Sequence, residues 1–300
     1  MEHEPITVAV VSAFNPGENL LHSCTALLQQ CADVIVVDDG SSAPDEDVFD
    51  AVASLGCIVL RLPANVGIAA ALNRGTDLAR ERHQFLDFIL TMDQDSLVEP
   101  GFVRELARAA AAAQSVDVNV GMVAPGTVSG LPSRARRSVR NVVIGDEPVQ
   151  SGLLIPAATL DAIGNFNEAL FIDGVDSEFY LRAKAAGLNC IIAPEASLTH
   201  SLGTMAPASI GPWTLKWRGT PVMVRTAADW RYYFIVRNRI LLGRKFAFRE
   251  PYWVVRGFLT DARHILVVTL LSAGRRQRLS SAAMGLAAGL RGSTGPRRSP

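Results

Sequence analysis

Three observations predict an α/β fold with a mostly parallel central sheet flanked by helices and a helical C-terminal extension. Apolar runs of strand length alternate with helical periodicity over residues 6–95, and each run ends in polar residues. The composition, 49% hydrophobic against 19% charged over 300 residues, provides enough apolar surface to bury a large core against the entropy of ordering the chain.

The elements follow in order. ITVAVVSAF, from Ile6, is a β-branched strand closed by Asn15, Pro16 and Gly17. LLHSCTALLQQCA, from Leu20, spaces its apolar residues as a helix does. ADVIVVDDGSS is a second buried strand running into a loop, and CIVLRLP is a third. GIAAALNRGTDLARER is a helix whose Ala69, Ala70 and Ala71 suit close packing on a sheet, with its positive N-terminal end at Gly67. FLDFILTMDQD is a fourth strand, and APEASLTHS carries His200 at the end of a short one.

Open parallel sheets bind ligands beyond the carboxyl ends of their strands. Suspicion therefore falls on Phe14 and Asn15, on Asp38 and Asp39, on Asn65 and Gly67, and on Asp93 and Asp95. Carboxylates converging on one crevice repel each other unless a cation is present, and Mg2+ or Mn2+ is commonly shared between protein carboxylates and a diphosphate. Taken alone, the Asp93–Asp95 triplet is more often a solvated turn or a helix cap before Pro100, and its place right after FLDFILTM, in a sheet whose other strand ends are acidic, shifts the balance to a metal. Asn65 and Asn73 are amides in a tightly packed apolar stretch, and Asp173, Asp176 and Glu178 cluster just before a helix. A carboxylate there could take the proton of an attacking hydroxyl, while acids in a first helical turn also suit the helix dipole. A lone histidine such as His200 is more often structural than a ligand.

Composition bounds the setting. Cys24, Cys31, Cys57 and Cys190 form no CxxC pair and imply buried thiols in a reducing compartment. MEHEPITVAVVSAF lacks the basic start and long apolar stretch of a secretory signal, and residues 252–271 are interrupted by Arg256, Asp261, Arg263 and His264, so no transmembrane helix is expected. The formal charge of zero conceals 14 basic and 26 acidic residues over 1–220 against 15 and 3 over 221–300. A basic, apolar C-terminal part suits an anionic membrane surface or a partner helix better than nucleic acid.

Taken together, VAVVSAFNP, VIVVDDGSS, NVGIAAALNRG, TMDQDS, GNFNEALFIDGVDSEFYLRAKAAG and LTHSLG resemble glycosyltransferase family 2, the inverting enzymes of GT-A fold, and within it bacterial rhamnosyltransferases. RYYFIVRNRILL is similar to the segment that follows the core in rhamnosyl and galactofuranosyl transferases, so the resemblance spans about residues 6–245. It implies a nucleotide-diphosphate sugar donor, L-rhamnose from dTDP-rhamnose first, a divalent cation, and a glycan or lipid-linked acceptor. It further implies donor contacts from Phe14, Asn15, Asp38, Asp39, Asn65, Gly67, Asn73 and Asp93, metal ligation by Asp95 and His200, a general base at Asp176, and acceptor contacts from Asp173 and Glu178. The chain departs from many relatives in carrying Val175 before Asp176, which leaves Asp173 as the other candidate base.

The expected organisation is a catalytic domain over 1–220, with a donor half to about 126 and an acceptor half from about 127, then a basic helical extension over 221–300 with a disordered tail from about 292. Residues 127–150 are expected to be a solvated basic loop, and 201–220 a mobile lid. The implied setting is cytoplasmic, peripheral on the inner face of the cell membrane, and a homo-oligomer remains compatible with the sequence. Two alternatives stand beside this function: a sugar nucleotidyltransferase, whose glycine-rich basic loop after the first strand is missing, and a membrane-associated scaffold of the same fold without chemistry. No GxGxxG follows the first strand, which counts against a dinucleotide dehydrogenase.

Overall fold

The computed structural model describes residues 5–42, 46–200, 203–210 and 213–297. Strands β1 (Thr7–Ala13), β2 (Asp33–Asp38), β3 (Ile58–Arg61) and β4 (Phe88–Asp93) are separated by helices α1 (Asn19–Leu28), α2 (Glu46–Ser54) and α3 (Ile68–Arg82). They lie parallel in the order β3-β2-β1-β4. Val8 to Val11 and Val34 to Val37 are at most 1% exposed, because helices cover both faces; hence they read as continuous apolar runs, not alternating ones. Helix α3 lies close on this sheet through its small residues: a Cβ on Gly75 would fall 2.3 Å from Val10 Cγ1.

The remainder of the sheet comes from β5 (Leu97–Val98), β6 (Val120–Val128), β7 (Leu131–Pro132), β8 (Ala135–Val139), β9 (Val142–Gly145), β10 (Leu153–Pro156) and β11 (Asn189–Thr199), with helices α4 (Phe102–Gln114), α5 (Ala157–Ile163) and α6 (Val175–Ala185). The order is β3-β2-β1-β4-β10-β6-β11-β9-β8, with β5 on β11 and β7 on β6. Strand β10 runs against both its neighbours, β4 and β6, while β11 is parallel to β6. The sheet is thus mixed: β3, β2, β1, β4, β6 and β11 run parallel, β10 is reversed in the middle, and β5, β7 and β9 pair antiparallel with their neighbours.

Residues 127–150 are not the solvated loop expected. They contain the β8–β9 hairpin at the sheet edge, closed by Arg140 and Asn141 at φ 46° and 69° with Val139 paired to Val142. Two consecutive left-handed residues are what a two-residue hairpin turn requires, and the arginines along β8 guard an edge strand against pairing with other chains. Strand β11, at 11 residues, is also longer than the short strand expected before His200.

The chain divides into two compact units. One comprises Met1–Phe171, Val175–Ser201 and Pro296–Pro300; the other comprises Ile172–Gly174 and Leu202–Gly295. In the second, β12 (Thr204–Pro207), β13 (Ser209–Ile210), β14 (Trp213–Thr214), β15 (Lys216–Trp217), β16 (Thr220–Pro221) and β17 (Met223–Thr226) form the pairs β12-β17, β13-β14 and β15-β16. Residues 201, 202, 211 and 212 of the segment expected as a lid, and 298–300 of the expected tail, lie outside the described residues.

Helices α7 (Arg231–Phe246), α8 (Pro251–Leu271) and α9 (Arg275–Arg291) complete this unit. Helices α7 and α9 approach through small residues, since a Cβ on Gly285 would sit 2.3 Å from the Tyr233 carbonyl oxygen. The Arg237 guanidinium is buried over the rings of Tyr233 and Phe234 and donates to Asn238 Oδ1 and the Gly295 carbonyl, so its charge is not left bare in the core. Among the described residues no helix is long and apolar enough to cross a membrane.

Candidate active site

The ends of β4 and β11 meet because β5, which begins two residues after Asp95, pairs antiparallel with the last residues of β11: Leu198 faces Val98 and Thr199 faces Leu97. That pairing carries His200 to the aspartate triplet. Asp93, Asp95 and His200 can each present a ligand atom within 4.8 Å of the others. His200 Nε2 lies 3.6 Å from Asp93 Oδ2, and Nδ1 lies 3.3 Å from Asp95 Oδ1. Burial by itself would hold the imidazole's pKa down, but the hydrogen bond to Asp95 and the charges of Asp93 and Asp95 lift it above the ordinary histidine value. Two carboxylates and one imidazole, all half-buried, form a donor set able to hold a divalent cation.

Behind these three residues runs a hydroxyl chain. The Asp93 N–H donates to Ser151 Oγ at 3.0 Å, Ser151 Oγ meets Ser96 Oγ at 2.6 Å, and Ser96 Oγ meets His200 Nδ1 at 2.9 Å. The backbone of His200 is fixed as well, its N–H donating to Ser129 Oγ while that hydroxyl donates to the His200 carbonyl. Outer partners of this kind orient ligating side chains. Ser96 and Ser151 were not among the residues expected at the site; Ser96 adjoins the triplet, whereas Ser151 has no sequence signal.

Hydrogen bonds also knit the strand-end loops together. Phe14 N–H donates to Gln94 Oε1 at 2.7 Å, Asn15 N–H to Ser41 Oγ at 2.8 Å, and Ser42 N–H to Asn15 Oδ1 at 3.1 Å. Asp38 Oδ1 accepts from Ser41 N–H at 2.9 Å. Asp39, 5% exposed, accepts from Val66 N–H at 2.7 Å and Gly67 N–H at 2.9 Å, so it ties the end of β2 to the start of α3. Burial raises its pKa, opposed by those two amides and aided by the Asp38 charge. Gly67 needs to be glycine: its φ is 94°, and a Cβ would fall 2.5 Å from the Phe171 carbonyl oxygen. The same contact brings the segment leading to α6 against the start of α3. Asn65 Oδ1 is buried without a hydrogen-bond partner, a polar atom left for a bound molecule or water to satisfy.

Three residues expected to contact donor or acceptor have partners inside the fold. Asn73 is buried with its amide engaged inside the fold, donating to the Phe166 carbonyl at 3.0 Å and Glu168 Oε1 at 2.9 Å and accepting from Phe166 N–H. Glu178 is 1% exposed and holds Arg182, Nη2 to Oε2 at 2.9 Å, so it does not face an acceptor. Asp173 is bound by Arg231 through Nη2 at 2.5 Å and Nε at 3.3 Å, while Asn238 Nδ2 donates to the carbonyls of Ile172 and Asp173. Burial raises the Asp173 pKa, and Arg231 works against that rise. Asp176 is half-buried in the first turn of α6, with Oδ1 accepting from Ser177 N–H at 2.8 Å.

Residues 8–158 match the family model described as "Glycosyl transferase family 2". A dTDP-rhamnosyl transferase, RfbF of Shigella flexneri, is 27% identical over 249 residues, covering 79% of each chain. Among solved structures, S. aureus TarS 1-349 in complex with UDP-GlcNAc matches with TM-score 0.52 at 14% identity, over 96% of this chain and 92% of that one. GalNAc-T7 with UDP, GalNAc and Mn2+ matches with TM-score 0.54 at 13% identity over 80% of this chain, which spans about half, 51%, of that enzyme. The fold is that of these GT-A enzymes, and the chain belongs to glycosyl transferase family 2.

Proposed function

We propose that this glycosyltransferase moves L-rhamnose from dTDP-rhamnose, with inversion, onto a hydroxyl of a cell-surface glycan or lipid-linked precursor, in the cytoplasm and with Mg2+ or Mn2+. The observation that carries the reading is the convergence of Asp93, Asp95 and His200 at the carboxyl ends of β4 and β11. The rhamnosyl donor is favoured by the relative from Shigella flexneri.

In this scheme Phe14, Asn15, Asp38 and Asn65 face the nucleotide, while Asp39 shapes that pocket from behind by holding Val66 and Gly67. Asp93, Asp95 and His200 would hold the cation, which when bound neutralises charge on a departing diphosphate. Asp176 takes the proton of the acceptor hydroxyl as that oxygen attacks the anomeric carbon, so bond formation and loss of the diphosphate occur in one displacement. Asp176 sits in the first turn of α6, where the positive end of the helix favours a carboxylate.

The test is thermal unfolding of the chain with Mn2+ and, in turn, dTDP-rhamnose, UDP-GlcNAc and UDP-GalNAc. Ligand at about a hundred times its Kd stabilises by about 2.7 kcal/mol, so the true donor gives the largest shift and a chelator abolishes it. A larger shift with either UDP sugar removes rhamnose from the scheme. No shift with any nucleotide sugar removes the donor site itself.

A further inference from the structure

Within the second unit, helix α8 is apolar on the side that faces water. Its buried residues are Trp253, Gly257 and Val268, whereas Tyr252, Val255, Leu259, Leu266 and Leu270 are 76, 58, 67, 59 and 56% exposed. At about 100° per residue those five positions fall within an arc of about 60°, with Arg256 and Arg263 on its border. A helix covered only by water carries the opposite pattern, and an apolar stripe of this length marks a surface that something else covers.

Charge selects the cover. Residues 221–300 hold 15 basic and 3 acidic side chains. Two of the acids are already paired inside the unit, Asp261 with Arg239 at 2.6 Å and Asp229 with Arg278 at 3.3 Å. A second copy of the chain would bring like charges face to face across a two-fold contact. A bilayer with anionic headgroups satisfies both the stripe and the arginines. Helix α8 also packs on β13 and β17, and the neighbouring hairpins expose Trp213 and Trp217 at 75 and 72%, with Lys216 and Arg218 flanking the second. Tryptophan beside cations is the chemistry of the membrane–water boundary.

We infer that α8 and the adjoining hairpins dock this chain on an anionic lipid surface, the helix lying in the interfacial plane with its stripe toward the acyl chains and its arginines among the headgroups. The inference rests on this unit's surface and not on the transfer reaction, so it is read with no sugar nucleotide present.

The experiment sediments the full chain with phosphatidylcholine vesicles, with and without phosphatidylglycerol. Pelleting with the anionic vesicles alone is expected, together with a blue shift of tryptophan emission. Leu259→Asp with Leu266→Asp should lower partitioning by more than about tenfold. Arg263→Gln should lower it about fivefold, on anionic vesicles only. Circular dichroism and nucleotide-sugar binding should remain as in the wild type. If the aspartate variant does not fold, the arginine variant and the emission shift decide alone. A wild-type chain that stays in the supernatant with both vesicle types overturns the inference. So does a stable dimer in light scattering that the aspartate variant converts to a monomer, since the stripe would then be an interface between copies.

Discussion

Glu178→Gln separates a structural carboxylate from a substrate-binding one. The native side chain is 1% exposed and accepts from Arg182 Nε at 3.2 Å and from Nη2 at 2.9 Å. Breaking a buried pair by removing one partner typically costs about 3–5 kcal/mol, because the other charge stays buried without compensation. Here the guanidinium keeps three acceptors, the carbonyls of Ile163, Gly164 and Asn165, and Arg182 retains 22% exposure. Its desolvation remains partly offset, which places the loss below that range, at about 2–3 kcal/mol. For a unit of this size the unfolding midpoint should fall by roughly 4–12 °C. Differential scanning calorimetry on the wild type, on Glu178→Gln and on Arg182→Gln measures it, and the double variant should lose less than the sum of the single ones because the two share one interaction. A midpoint equal to wild type would refute the structural assignment and return Glu178 to the acceptor side.

Further outcomes follow from the same geometry. Asp176→Asn should lower turnover by about 10²–10⁴-fold while leaving the donor-induced thermal shift intact, and wild-type turnover in that variant would remove Asp176 as the base. Ser151→Ala removes the acceptor of the Asp93 N–H and one link to His200, so calorimetric Mn2+ affinity should drop by about 10-fold or more; unchanged affinity would show that the hydroxyl chain does not orient the ligands. Gly67→Ala places a Cβ 2.5 Å from the Phe171 carbonyl at a φ of 94°, and urea unfolding should register a loss of about 2 kcal/mol or more.

Much of the parallel half of the sheet was legible residue by residue. Strands β1, β2 and β4 are buried on both faces, and burial on two faces forces uninterrupted apolar runs such as Val34 to Val37 that no loop would carry. Asp93 and Asp95 could be singled out because they directly follow one of those runs, and Gly67 because a helix begins there. Other features had no local trace. The insertion of β10 between β4 and β6, and the pairing of β5 with β11 that brings His200 to the triplet, depend on contacts between distant segments; Ser96 and His200 are 104 residues apart.

Asn73, Glu178 and Asp173 show the same limit from the other side. Each is a polar residue in apolar company, a pattern shared by catalytic groups and by satisfied structural ones, and the sequence does not pair Asn73 with Phe166, Glu178 with Arg182 or Asp173 with Arg231. Local sequence alone determined the strands of the parallel half, β1 to β4, and which of their ends carry acid, because burial and periodicity act over a few neighbouring residues. The tertiary structure decided which polar groups have partners and which remain to meet a ligand, because a hydrogen bond or ion pair inside the fold depends on where distant parts of the chain come to rest.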